Sequence, residues 1–341
     1  MITVERLQAP DAAYVELLDK TVFGNRGLAF RRTNWPDVVA RWQRLGGAFL
    51  VARDGDRTVG TYALVPHPIQ LAGQDVTAWY RAALSVAPDT RGQGVGAQLA
   101  AEVKRLFVDE AEGPVVCYGI VERDNEPSQR VQIGVGYAPI AACVALPVGS
   151  LRPRGCEGFG PLEASEVDHV AGLLAERWSG HVLGTDFRGS LSPDDTRVLR
   201  VDGRIVASLT GRLTSVDITA MPGVRGGLLR AASPLLRQLT PLFATRPNRH
   251  LVLANLWWET PEALARLVSA ALHEHRVAHG IVFTDYRSPL RPVFRDGLRG
   301  PVHKLVPAPA LDVWAGWKGL TDEAIRALSD LPHAFAPGDA A

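Results

Sequence analysis

Short β-rich runs alternate with amphipathic helical patterns along the first part of the chain. Thr3–Leu7 reads as a strand. Asp11 stands where a helix N-cap belongs, with Tyr14, Leu17 and Leu18 on one face of the turns that follow. Phe23–Pro36 mixes Gly, Asn, Arg and aromatic residues and predicts a long loop. Residues 37–45 predict a second helix, stopped by Gly46-Gly47. Asp54-Gly55 separates two β-rich runs, and Ala72-Gly73 does the same in the next segment; both are hairpin signals. Val95, Leu99, Val103, Leu106 and Phe107 recur at helical spacing. Pro114–Glu122 predicts a buried strand, followed by a short helix around Ser128–Ile133 and a strand near Ala138–Val148.

After a Pro- and Gly-rich stretch, Gly149–Gly160, the pattern partly starts over. Residues 161–178 predict a helix with Leu162, Val167, Val170 and Leu174 as core positions. Arg197–Leu213 is another Asp-Gly hairpin and looks like Arg53–Val65. His250–Trp258 predicts a buried strand, Pro261–His279 a helix, and Ile281–Arg287 a further strand. This faint repeat, of roughly 150 residues, is too long for a solenoid and suggests a duplicated domain. An amphipathic helix from Thr321 (Ala324, Ile325, Leu328) and a loose tail after Pro332 close the chain. The expectation is an α/β protein with domains at 1–150 and 157–310, then a C-terminal helix and tail at 311–341.

Composition narrows the function classes. Of 341 residues, 46% are hydrophobic and 21% charged, which excludes a disordered chain. Lys and Arg number 37 against 36 Asp and Glu, so the basic excess of a general nucleic-acid binder is missing. Cys117, Cys143 and Cys156 are odd in number and show no CxxC spacing, which argues against a disulfide framework or structural zinc. No apolar stretch approaches the roughly 20 residues of a membrane span, and the first residues lack the apolar core of a signal peptide. A soluble, cytoplasmic protein with no nucleic-acid or membrane partner is expected.

The segment that carries chemistry is Leu84–Leu99. A strand leads through a proline-containing turn into Arg91-Gly92-Gln93-Gly94-Val95-Gly96 and then a helix. Backbone N–H groups at a helix N-terminus have no intrahelical partner. Glycine lets an anion approach the backbone, and the helix dipole favours negative charge there. A diphosphate is the expected guest. A P-loop is excluded because Gly96 is followed by Ala97-Gln98 rather than Lys-Ser/Thr. A dinucleotide fingerprint is disfavoured because antiparallel hairpins precede the loop.

VAPDTRGQGVGAQL resembles the acetyl-CoA motif of the GNAT N-acetyltransferases, in which Arg91, Gly94 and Gly96 match the pattern Arg/Gln-x-x-Gly-x-Gly/Ala. The resemblance covers residues 1–150 and extends to the order of elements around the motif. It implies a GNAT fold, a mostly antiparallel sheet with flanking helices, and, with the repeat, two such units in tandem of which the second is degenerate. It further implies acetyl-CoA as cosubstrate, held by Leu84, Ser85, Val86, Arg91, Gly92, Gln93, Gly94, Val95 and Gly96, with Asn125 and Ser128 where the family contacts the pantetheine or adenosine end. A backbone N–H near Ser85 or Val86 would polarise the thioester carbonyl.

The acceptor would be an amine on a small molecule or a protein, attacking directly after losing its proton to a base. Glu122 is the first candidate base, with Asp124 behind it. A non-catalytic acyl-CoA sensor or scaffold is the competing reading. The resemblance places the family's tyrosine acid at Gln132, with Tyr137 packing as the aromatic after Gly136 and Tyr118 as an alternative. Trp35, Trp42, Trp79 and Tyr80 read as core ahead of an acceptor pocket, and Arg26, Arg31 and Arg32 as a solvated loop. His273, His275 and His279 read as a histidine-bearing helix without a third ligand group for a metal. The second half shows no Gly-x-Gly pair after an arginine; the nearest glycine cluster, Pro222–Arg230, is Arg225-Gly226-Gly227 followed by leucines. One CoA per chain is therefore expected, and a homodimer remains open.

Overall fold

The computed structural model describes residues 1–24, 29–149, 152–182, 187–220, 227–228, 231–233, 235, 246–288, 290–293 and 310–333. Arg26 and most of Pro222–Arg230 lie outside these. The chain folds as two compact units. Unit 1 is Met1–Ala142 with Leu311–Asp330, and unit 2 is Cys143–Ala310 with Leu331–Ala341. The division thus falls at 142/143 rather than at 150, and residues 311–330 belong to the first unit.

In unit 1 the elements run β1 (Ile2–Leu7), α1 (Ala12–Lys20), β2 (Ala29–Arg32), α2 (Trp35–Arg44), β3 (Ala48–Asp54), β4 (Arg57–Leu71), β5 (Gln74–Val86), α3 (Val95–Lys104), β6 (Val115–Glu122) and α4 (Glu126–Gly134). Asp11 caps α1 by accepting from the Tyr14 N–H at 2.7 Å. The loop expected over Phe23–Pro36 holds the short β2, and Phe23 and Phe30 form an antiparallel bridge and stack. The sheet order is β1-β3-β4-β5-β6, antiparallel except for the parallel pair β5/β6. It is completed by β13 (Ala310–Lys318), which pairs antiparallel with β6.

Helix α3 packs on β3, β4 and β5. Its Val95 and Leu99 come so close to Gly60 of β4 that a Cβ there would stand 2.8 Å from each. Trp35 and Trp42 are buried, and Trp79 packs against Phe107, so these aromatics are core. Arg32 lies over the Trp35 ring at 5.0 Å, and burial pushes its guanidinium down to about 10.

The chain passes into unit 2 within β7 (Ala138–Gly149). It continues as β8 (Phe159–Pro161), α5 (Val167–Arg177), the one-turn α6 (Phe187–Ser190), β9 (Thr196–Val201), β10 (Arg204–Ala220), β11 (Asn248–Trp258), α7 (Pro261–Glu274), β12 (His279–Asp285) and the short α8 (Leu290–Val293). The sheet order is β8-β9-β10-β11-β12-β7, again antiparallel except for one parallel pair, β11/β12.

The two units therefore repeat one succession of strands, and in each the closing strand is distant in sequence from the strand it pairs with. Unit 1 takes β13, which follows the elements of unit 2. Unit 2 takes Cys143–Gly149, which follows the elements of unit 1. Residues 311–318 are thus a sheet strand, and the C-terminal helix is α9 (Asp322–Asp330).

The helix expected over Pro261–His279 stops at Glu274. Arg276 has φ +54, a left-handed conformation that ends it, and His279 opens β12 instead. The three histidines do not share a helix, and no metal-holding group of His, Cys, Asp and Glu is present among the described residues. Among those residues, no helix is long and apolar enough to cross a membrane.

Candidate functional site

The site is built on the parallel pair of unit 1. β5 and β6 pair from Thr77/Val115 to Arg81/Gly119 and no further, although both strands continue to Val86 and Glu122. Two residues past the last pair, Ala83 takes φ +54. The β4/β5 register shifts there, between Thr61 and Ala63. A bulge bends a strand away from its neighbour, and the result is a slit open between β5 and β6.

Strand alternation decides which peptide groups face it. The Ala87 N–H donates to Val59 O at 2.9 Å, so Ala87 and Ser85 direct their peptide groups at β4, while those of Leu84 and Val86 face the slit. Of the two N–H groups expected to polarise the thioester, that of Ser85 therefore faces β4 and that of Val86 faces the slit. The Ser85 side chain is itself buried, with no partner for its hydroxyl.

The glycine loop lies at the mouth of the slit. Gly92 and Gly94 both have φ +83, a conformation glycine adopts without strain, and a Cβ at either would meet nothing within 4 Å. Gly94 is the N-cap of α3 and supplies no side-chain cap. The first helical bond runs from the Gln98 N–H to Gly94 O at 3.0 Å. Helix geometry therefore leaves the N–H groups of Val95, Gly96 and Ala97 without intrahelical acceptors.

Gly96 differs from its neighbours. A Cβ there would be in ordinary contact with Val86 and Val131, so it packs α3 between β5 and α4. Arg91 folds back, with Nε 3.4 Å from Val86 O, and Gln93 Nε2 donates to Asp89 O at 3.2 Å. Asp89 pairs with Arg57, whose hydrogen bond holds the carboxyl below its ordinary value. Asn125 and Ser128 meet in the cap of α4, Asn125 Oδ1 accepting from the Ser128 N–H at 3.2 Å.

A buried polar cluster closes the blind end. Arg81 is 4% exposed. Its Nη1 donates to Tyr62 Oη at 3.3 Å and to Gln132 Oε1. Its Nη2 donates to Trp314 O of β13 at 2.7 Å. The guanidinium carbon lies 4.1 Å above the Tyr137 ring. Tyr137 is core, and burial pushes its phenol far up, so it is no ready proton donor.

On the opposite face of β6, the Tyr118 hydroxyl lies 3.1 Å from His67 Nε2. Regular alternation puts Glu122, half-buried at the strand end, on the Tyr118 face. Arg81, Tyr62 and Trp314 were not singled out in the sequence. The available signal was that Arg81 is the one charged residue between Ala78 and Val86.

Unit 2 carries the same frame with different fittings. β11 and β12 pair from Leu251/Gly280 to Leu253/Val282 and then part. Two residues on, Asn255 takes φ +50, beside a register shift between Ser208 and Thr210 of β10. Asp285 stands three residues past the last pair, as Glu122 does. Here the slit-facing carbonyls are occupied. Trp178 Nε1 donates to Leu256 O at 3.0 Å and Arg177 Nη2 to Trp258 O.

No glycine loop follows the strand. Glu259 and Thr260 lead directly into α7, and the Thr260 hydroxyl accepts from the Ala263 N–H at 3.2 Å. The segment in the place of the glycine loop is therefore 259–260, not the glycines near 225. Burial alone would raise the Asp285 carboxyl. Hydrogen bonds from His333 and Arg287 outweigh that and hold it far below the usual range.

Comparison with known proteins agrees with this geometry. Residues 46–131 match the family model of the acetyltransferase (GNAT) domain. The first unit thus carries a match to the GNAT domain over residues 46–131, and the mixed, mostly antiparallel sheets with helices are those of the GNAT fold. No curated protein matches the sequence. Among solved structures, N-myristoyltransferase of Saccharomyces cerevisiae with bound myristoyl-CoA is 12% identical. That match covers 93% of this chain and 83% of that one, with a TM-score of 0.60. The glucosamine N-acetyltransferase region of a fungal multi-domain β-N-acetylglucosaminidase is 17% identical, covering 93% and 38%, with a TM-score of 0.53. A GCN5-related N-acetyltransferase from Sphaerobacter thermophilus is 13% identical, covering 85% and 88%, with a TM-score of 0.50. At these identities the likeness is one of fold.

Proposed function

We propose that the protein is an acetyl-CoA-dependent N-acetyltransferase that moves the acetyl group to a primary amine of a small molecule or protein by direct attack. The observation that carries the proposal is the conjunction, in unit 1, of an open strand slit with an uncapped, glycine-lined helix N-terminus at its mouth. The N–H groups of residues 92–97 would take the diphosphate. The peptide groups of Leu84 and Val86 would pair with the pantetheine amides as a missing strand would, and one of the two N–H groups would donate to the thioester oxygen.

An ammonium has no lone pair with which to attack, so a base must act first. Glu122, at the end of β6, would take that role. The amine nitrogen then bonds to the carbonyl carbon, the C–S bond breaks, and CoA leaves as its thiolate. Calorimetry with acetyl-CoA tests the site, with one equivalent bound per chain expected. Thiol release with a panel of amines tests the reaction. Absence of acetyl-CoA binding overturns the proposal.

A second reading, a non-catalytic acyl-CoA sensor or scaffold, is favoured by one observation. The position of the family's tyrosine acid holds Gln132, whose amide cannot give up a proton near neutral pH. Tight binding without thiol release for any amine would favour that reading.

A further inference from the structure

Arg81 poses a physical problem that the cofactor site does not by itself solve. Its guanidinium is buried, and its acceptors, Tyr62 Oη, Gln132 Oε1 and Trp314 O, are all neutral. No carboxylate pairs with it among the described residues, and its Nε is buried with no partner. A guanidinium remains charged in proteins. A buried cation without a counter-charge is costly and is normally paired. Its place is also specific. Arg81 is the last residue of β5 to pair with β6, and its Nε lies 3.5 Å from where a Cβ on Gly119 would stand. The fixed charge therefore sits at the blind end of the slit, roughly 16 Å along β5 from Val86 at the strand rise of ~3.3 Å per residue. That is the end opposite the cradle, toward which the thioester end of an extended arm points.

We propose that Arg81 is the fixed cation that stabilises the CoA thiolate as it leaves. The proposal rests on the acetyl-CoA reading above. As the C–S bond breaks, its electron pair stays on sulfur. Arg81 keeps its proton and supplies charge in place, which in a low-dielectric setting acts strongly. This accounts for a chain with glutamine where a proton-donating tyrosine would stand. Gln132 does not replace the acid; it is one of three neutral groups that hold the cation without quenching it. The Tyr137 ring beneath the guanidinium does the same through its π-face.

The test needs no knowledge of the acceptor amine. CoA and desulfo-CoA, which differ only at the sulfur, are titrated by calorimetry between roughly pH 6 and 10, bracketing the ~8.5 of a free thiol. Ionisations of the phosphates and adenine are common to both ligands and cancel in the ratio. The two should bind alike at the acid end. Toward the alkaline end CoA should gain at least tenfold over desulfo-CoA, because the bound thiol ionises earlier than the free one.

Gln132→Glu places a carboxylate against Arg81 at nearly unchanged volume. It should abolish the gain while leaving desulfo-CoA affinity unchanged, and Arg81→Met should do the same. Equal binding of the two ligands by the wild type at every pH overturns the proposal, as does a gain that persists in both variants. If neither ligand binds the wild type, the acetyl-CoA reading itself is wrong, a pattern distinct from equal binding.

Discussion

The slits of the two units begin alike and end differently. Each starts where a parallel pair gives out, at Arg81/Gly119 and at Leu253/Val282, and each is opened by a left-handed residue two positions on. In unit 1, of the slit-facing peptides of Leu84 and Val86, Val86 O takes a long contact of 3.4 Å from Arg91 Nε, and the helix at the mouth has glycine in place of a capping side chain. In unit 2, Trp178 and Arg177 take the carbonyls, and Thr260 caps the helix. A strand frame of this kind does not itself make a ligand site. The two frames differ in how far the protein's own side chains satisfy that backbone, and unit 2 satisfies more of it, at both carbonyls and at the helix start.

The strongest test of that contrast is to reopen the second slit. Trp178 is buried in the core of unit 2, and its indole caps Leu256 O. Trp178→Ala should cost about 3–5 kcal/mol in denaturant unfolding, the usual loss for a buried aromatic. The variant should still bind one CoA per chain, because α7 remains capped. A second equivalent in calorimetry would show that the indole alone had closed the site.

Acid should loosen the second slit before the first. Burial pushes the His279 imidazole, at the start of β12, from its ordinary value near 6.5 down to about 4, where it stacks on His250. Above pH 6.5 both folded and unfolded chains are neutral there. Between 6.5 and 4 only the unfolded chain takes up the proton, so stability falls as pH falls, by up to ~3 kcal/mol. Amide exchange in β11 and β12 should accelerate across that window, and His279→Asn should flatten the dependence. Equal acceleration in β5 and β6 would remove the distinction.

In the first slit, Gly94→Asp should weaken acetyl-CoA binding by at least tenfold, about 1.4 kcal/mol. The aspartate brings a negative charge to the anion's approach and must adopt φ +83, where no neighbour obstructs it but the backbone resists. Unchanged affinity in a folded Gly94→Asp variant would mean that the diphosphate sits elsewhere.

The cradle was legible in the sequence because it is local: strand end, glycines and helix start lie within Leu84–Leu99. The hairpins were legible for the same reason, their turns being written in Asp54-Gly55 and Ala72-Gly73. Features made by distant residues were not. Arg81 meets Gln132 and Trp314 across separations of 51 and 233 residues, and the pairing of β13 with β6 and of β7 with β12 has no local signature. Arg225-Gly226-Gly227 is the glycine cluster that a second loop of this kind would predict from sequence alone. The frame puts the counterpart at Glu259-Thr260, which is recognisable only once β11 and β12 are aligned with β5 and β6. The pattern from Pro261 to His279 reads as one helix because nothing in the sequence after Glu274 marks Arg276 as left-handed.

The smallest effect probes the cap itself. The Thr260 hydroxyl accepts from the Ala263 N–H at 3.2 Å, so Thr260→Ala should cost about 1 kcal/mol, the usual price of a lost N-cap. It also frees one N–H at the α7 N-terminus, which makes that helix resemble α3 in one respect. Two others remain unlike: Pro261 has no N–H to offer an anion, and the strand carbonyls behind it are still held by Trp178 and Arg177. Thermal unfolding should therefore shift slightly while acetyl-CoA stoichiometry stays at one and affinity in unit 1 is unchanged. A variant with an unaltered melting temperature would show that the cap contributes little. One that bound a second acetyl-CoA would show that a single threonine separates the two slits, and that the occupied carbonyls do not matter.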